Sequence, residues 1–219
     1  MAKRILLPIL FLLALGAHAQ HWQLKFGGGL SSQYGAARSV GAYKIGVGYE
    51  YEFDQRWTVA PSLVFYGKGF KDPDRLVAVI DDDGAPLYDE EGNPVYSRMS
   101  RSTSANYIEL PLLFSYYWRT GPSRYVVLSA GPYAAVGLFG KVKTKGDGEQ
   151  LGSDKLYYDG DAFGGDGLRR FDAGVQAFAG YQFATGLTLG VEADFGLTRT
   201  SADGGRTVTG LVSLTYRFD

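Results

Sequence analysis

The 219-residue chain contains no cysteine and only two histidines. Without cysteine there is no disulfide framework, no thiol nucleophile, no thiolate metal site and no lipidated cysteine of the kind a lipoprotein signal requires. His18 lies in the leader described below, and His21 stands at the very start of the chain that would remain. A terminus cannot hold an imidazole as a catalytic triad needs, nor supply the two or three histidines usual in a catalytic zinc site. The sequence therefore predicts no catalytic, cofactor or metal site, and a protein that is not an enzyme. After the leader no stretch approaches the ~20 apolar residues of a membrane-crossing helix. A basic excess is missing too: removing Lys3 and Arg4 from the 22 basic residues leaves 20 against 23 acidic ones, a net charge of −3. That balance excludes a nucleic-acid partner.

What is present begins with an export signal. Lys3 and Arg4 form a basic start, residues 5–15 an apolar run interrupted by Pro8, and Ala17-His18-Ala19 a small-x-small cleavage site. Residues 1–19 read as a signal peptide, and residues 20–219, free of any sharp shift in composition, as one domain.

That domain alternates. Tyr43, Ile45, Val47, Tyr49, Tyr51 and Phe53 are apolar, while Lys44, Gly46, Gly48, Glu50 and Glu52 between them are small or charged. The same period of two runs through Trp22–Leu30, Trp57–Phe65, Ile108–Trp118, Val126–Leu138, Phe171–Phe183, Leu187–Leu197 and Val208–Phe218. These eight segments predict an all-β fold, an eight-stranded antiparallel up-and-down transmembrane β-barrel. In such a barrel closure pairs every backbone group while one face meets lipid. The connections at 54–55, 119–123 and 184–186 are short, and those at 33–40, 71–103, 141–167 and 200–205 are longer, in strict alternation. Short periplasmic turns and long outer loops are the outer-membrane arrangement, with both termini periplasmic. Trp22, Tyr51, Phe53, Trp57, Tyr116, Trp118, Tyr181, Phe183, Tyr216 and Phe218 gather at the short-turn ends, where amphipathic rings favour the membrane interface.

A soluble lipocalin-like barrel or sandwich would share the alternation, with its apolar face inward, but it does not account for the loop asymmetry. Pro61, Pro111 and Pro132 interrupt proposed strands, and bulges or strand ends are expected there.

Several segments carry a family resemblance. The runs Tyr107-Ile108-Glu109-Leu110-Pro111-Leu112-Leu113, Ala130-Gly131-Pro132-Tyr133, Arg170-Phe171-Asp172-Ala173-Gly174 and Gly180-Tyr181-Gln182-Phe183 resemble the PorT-like outer-membrane β-barrel family. The resemblance spans the mature chain and implies a small barrel in which Pro111 and Pro132 are family features. One branch of that family is associated with secretion, which these structural motifs do not assign to this chain. Tyr216-Arg217-Phe218 resembles the aromatic C-terminal signal read by the barrel assembly machinery, although Asp219 replaces the usual last aromatic.

Alternation turns Lys44, Glu109, Arg170, Asp172, Glu192, Asp194 and Arg217 inward. A lumen of eight strands is just wide enough for its own side chains, so these seven are expected to form a nearly charge-balanced interior polar cluster rather than a reaction site. In the second long loop the Asp-Asp-Asp-Gly of residues 81–84 and Asp89-Glu90-Glu91-Gly92 head two near copies. They read as solvated turns of a hairpin extending the strands, because the acid spacing does not fit an EF-hand. The expected partners are outer-membrane lipid, the assembly machinery and an unidentified extracellular or envelope protein. The expected role is surface interaction or envelope integrity, with a barrel enzyme acting on lipid or peptide and a periplasmic ligand-binding barrel as the rival readings.

Overall fold

The computed structural model describes residues 20–34, 38–79, 85–146, 157–165, 167–201 and 204–218. The expected signal segment, the first acidic turn at 80–84 and Asp166 of the third long loop lie outside these residues.

Ten strands form among the described residues: β1 (Gln20–Gln33), β2 (Val40–Glu52), β3 (Trp57–Lys71), β4 (Arg75–Ala78), β5 (Tyr96–Gly121), β6 (Arg124–Gly146), β7 (Tyr157–Asp161), β8 (Phe171–Gln182), β9 (Leu187–Gly196) and β10 (Thr207–Phe218). Every pairing is antiparallel, β1 pairs with β10, and β5 also pairs with β6. Eight strands therefore close into a ring in the order β1-β2-β3-β5-β6-β8-β9-β10. The two short strands lie outside it, β4 on Tyr96–Met99 and β7 on Lys141–Lys145. The result is an eight-stranded up-and-down barrel. A four-stranded ribbon, β4-β5-β6-β7, rises from one side of its long-loop end.

The alternation sets which way side chains face. Trp22, Phe26, Ile45, Val47, Leu63, Leu110, Phe114, Leu128, Val136, Val175, Leu189, Val191 and Val212 are exposed on the outside, whereas the intervening residues are buried in the lumen. An outer surface this apolar suits lipid and not water. Rings pair at the short-turn end, with centroids 4.9 Å apart for Trp57–Tyr116 and 5.3 Å for Trp22–Tyr49. A second set, Tyr43–Phe65 at 6.1 Å and Phe65–Phe139 at 6.3 Å, marks the other end. Gly67 is needed there: a Cβ at that position would lie 2.3 Å from the Tyr43 ring, which lies across it.

The three prolines sit neither at bulges nor at strand ends, a correction to expectation. The β2–β3 ladder pauses between Gly48↔Ser62 and Tyr51↔Val59 at Pro61, and β3–β5 between Pro61↔Leu112 and Val64↔Glu109 at Pro111. The β5–β6 ladder pauses between Pro111↔Tyr133 and Phe114↔Ala130 at Pro132. Register is unchanged across each gap, so every missing N–H costs local ladder pairing without altering which face a residue presents. The register shifts lie elsewhere, at Asn106/Tyr107 and Arg119/Gly121.

In the second long loop Asp89 accepts from the Asn93 and Glu91 amides at 2.7 and 3.0 Å, and Gly92 takes the left-handed φ of +83° that the turn requires. These amides, Asn93 first, hold the exposed Asp89 carboxyl below its usual range.

Candidate functional site: the interior of the barrel

The lumen divides across its length. Toward the long-loop end, small inward residues such as Ala42, Ala105 and Ala135 leave room for long side chains to meet across it. Lys44 of β2 is the hub: its Nζ contacts the Glu192 carboxylate and lies 3.3 Å from both Glu109 Oε1 and Asp194 Oδ2. Lys68 of β3 lies 2.5 Å from Asp172 and 3.9 Å from Glu109. Neutral donors complete the shells of the acids. Gln176 donates to Glu192 and Asp194 at 2.6 and 2.8 Å, Tyr66 to Asp194 at 2.6 Å, Thr198 to Asp172 at 2.6 Å and Ser213 to Glu192 at 3.1 Å. Among the described residues Glu109 makes the two charge contacts and no hydrogen bond. Both lysines also sit over aromatic faces, Lys44 4.4 Å from the Tyr66 centroid and Lys68 about 5 Å from Tyr66, Tyr107 and Tyr133. Tyr66 and Glu109 are fully buried. Above this layer the segment after β7 folds back, and Phe163 and Leu168 pack on Ala105, Tyr107, Tyr133 and Ala135. Gly137 permits that approach, since a Cβ there would lie 2.3 Å from the Phe163 ring.

Toward the short turns the packing loosens. Glu50, fully buried, accepts from Gln23 and, at 2.6 Å, from Tyr117. Between this group and the lysine hub lies a cavity of about 50 Å³, lined by apolar Ala60, Val64, Leu113 and Val127, by Gln23 and Lys25, and by Lys44 and Glu192 of the hub itself. Lys25 makes no ion pair or hydrogen bond among the described residues. Nearer the rim, His21, Glu52, Thr58, Tyr117, Tyr125 and Arg217 surround a recess of about 210 Å³, with Arg217 3.2 Å and His21 3.7 Å from Glu52.

The structure thus brings together five of the seven residues singled out in the sequence: Lys44, Glu109, Asp172, Glu192 and Asp194. The other two lie apart from this group, and the inward placing of Arg170 is corrected. Arg170 is exposed, just before β8, where it donates to the Gly137 and Leu138 carbonyls and covers the Phe163 ring. Arg217 faces inward but at the short-turn rim, on Glu52. The charge balance expected of the cluster is also corrected, because two lysines face four carboxylates. Lys68, Tyr66, Gln176 and Lys25 were missed, although the alternation of Trp57–Phe65 carried three residues further places Tyr66 and Lys68 inward, and that of Trp22–Phe26 does so for Lys25. Among the described residues no group of three or more histidines, cysteines or acids is placed to hold a metal.

A closed ring of eight strands with an apolar outer belt and a polar interior defines an outer-membrane β-barrel. The sequence profile described as "Outer membrane protein beta-barrel domain" matches residues 7–202, and the chain belongs to that family. Three solved structures are similar at low identity. The attachment invasion locus protein Ail of Yersinia pestis, in complex with the heparin analogue sucrose octasulfate, is 13% identical, with 91% of this chain and 97% of that one covered and a TM-score of 0.39. Neisserial surface protein A is 12% identical (92% and 97% covered, TM-score 0.43), and the outer membrane enzyme PagL 11% (89% and 98%, TM-score 0.42). No curated protein sequence matches the chain.

Proposed function

We propose that this is a non-enzymatic, non-conducting outer-membrane protein whose long loops face outward and serve surface interaction or envelope integrity. Export follows cleavage after Ala19, the assembly machinery inserts the barrel, and both termini lie in the periplasm. The observation that carries this reading is the division of labour in the fold. The lumen is filled by Lys44, Lys68 and their four carboxylates under the Phe163–Leu168 cap, while β5 and β6 run 26 and 23 residues, well beyond the 9–11 that cross a bilayer. A filled lumen leaves no transport path, and the ribbon offers a surface outside the membrane. The Glu109–Leu113 strand with its proline supports a place near the PorT-like branch of the family.

Two measurements test this. In planar bilayers the purified barrel gives no large, stable single-channel steps, and porin-like steps refute the plug. In intact cells an external protease cuts within 72–95 or 147–170, and cleavage confined to 53–56, 122–123 or 183–186 inverts the topology.

A further inference from the structure

Beyond the lipid-facing belt the outer surface of β6 changes character. Tyr107 pairs with Gly137 but Asn106 with Phe139, so β6 carries one extra residue at this point. Leu138 and Phe139 both lie exposed on the outside, and from there the alternation is inverted. Val142 turns in and is buried, while Lys141, Lys143 and Lys145 are exposed on the same side as Phe139. Without the bulge all three lysines would point over the lumen. Their partners on β5 are Ser104, Ser102 and Ser100, short hydroxyl side chains.

The acids at the base of the second long loop are engaged elsewhere. Asp74 lies against Lys71 and Arg38, and Asp72 against Arg101. On the β7 flank Asp161 stands opposite Lys141 and Asp159 opposite Lys143, and Asp161 turns Oδ1 to the Phe163 amide.

Their height is set by strand geometry. The outward positions from Val126 to Leu138 cover about 30 Å along the membrane normal at ~3.3 Å per residue and a tilt of about 40°. That matches a hydrocarbon core of about 30 Å, so the core ends near Phe139. Lys141, Lys143 and Lys145 then stand about 5, 10 and 15 Å beyond it. The headgroup layer is about 5–8 Å deep on each side of a bilayer, and flexible lysine stems reach down into it.

We propose that Lys141, Lys143 and Lys145, with the serine row beside them, bind the phosphate-bearing glycolipid headgroups of the outer leaflet. The inference rests on the outward orientation of the long loops proposed above. The row starts where the apolar belt stops and is continuous with it, which favours a lipid held by its acyl chains over a polyanion arriving from solution. The serine hydroxyls supply neutral donors to phosphate oxygens between the charges.

The test uses the folded barrel in zwitterionic detergent micelles, titrated with lipid A, with its dephosphorylated form and with soluble tripolyphosphate. Expected is binding of lipid A that weakens about fivefold for each lysine neutralised, about 100-fold for Lys141→Gln, Lys143→Gln and Lys145→Gln together. The three-fold Lys→Arg variant retains it, and dephosphorylated lipid A behaves as the glutamine variant does. Slower migration on heating in gels verifies that each variant is a closed barrel. Equal affinity of the glutamine variant and the unmodified protein overturns the proposal, as does equal binding of dephosphorylated lipid A. Competition by tripolyphosphate as effective as by lipid A assigns the row to soluble polyanions and overturns it too. Micelle binding does not depend on which way the barrel sits in a cell, so an inverted protease pattern would sink the orientation without being mistaken for failure of the site.

Discussion

The two halves of the lumen are built from the same kind of residue and solve the same problem differently. Toward the long loops, Lys44, Lys68, Glu109, Asp172, Glu192 and Asp194 are knitted to one another and to Tyr66, Tyr133, Gln176, Thr198 and Ser213. Toward the short turns, Glu50 has two donors, Lys25 has no partner among the described residues, and the oxygens Oγ1 of Thr58 and Oε1 of Gln182 have no protein hydrogen bond. A buried charge must be paired or hydrated. The upper half pairs its charges. The lower half opens on a cavity of about 50 Å³ that reaches up to Lys44 and Glu192, enough for water, which needs about 10–15 Å³ by this measure. The difference separates a structural plug from a region where a charge is tolerated, and it assigns the closure of the barrel to the upper half.

Removing the hub is the severest way to probe that contrast. Lys44→Met keeps the stem but withdraws the cation shared by Glu109, Glu192 and Asp194, and is expected to cost about 3–5 kcal/mol, as for other uncompensated buried charges. Urea unfolding in lipid vesicles measures it, and a loss below about 1 kcal/mol would mean that the plug is not held by charge. Tyr117→Phe, in the lower half, removes one of the two donors to Glu50 and is expected to cost about 1–3 kcal/mol, the range for stranding a buried acceptor. A Tyr117→Phe loss as large as that of Lys44→Met would erase the distinction between the halves.

Much of this was legible in the sequence. Strict alternation named the eight strands, and the unequal connections named the two ends, because a closed barrel in lipid leaves each residue only two faces to occupy. The same rule found Lys44, Glu109, Asp172, Glu192 and Asp194. It failed for Arg170, which precedes the first paired residue of β8 and so is not bound by the strand's alternation. The prolines misled for another reason: a missing donor was expected to shift the register, whereas each ladder pauses and resumes unshifted. The inversion at Leu138–Phe139 had no local marker, since the extra residue is defined only by its partners on β5. The cross-lumen pairing, which decides where charges are neutralised, depends on barrel closure and could not be read along one strand.

The smallest expected effect is the most discriminating. Lys25 and Lys44 both point into the lumen, on neighbouring strands, and by alternation alone they are equivalent. Lys25→Met removes a charge that has no ion pair to lose among the described residues, while the methionine side chain still lines the cavity that Val64 and Leu113 share. Replacing a partly buried, unpaired cation by an apolar side chain of similar length relieves part of a desolvation cost, and that gain offsets the longer-range attraction lost to the lumen carboxylates. Stability is therefore expected to stay within about 1 kcal/mol of the unmodified barrel, against the several lost in Lys44→Met. The same urea titration reads both variants side by side. A Lys25→Met loss matching that of Lys44→Met would show that the charge network extends through the whole lumen, so that the lower half belongs to the plug.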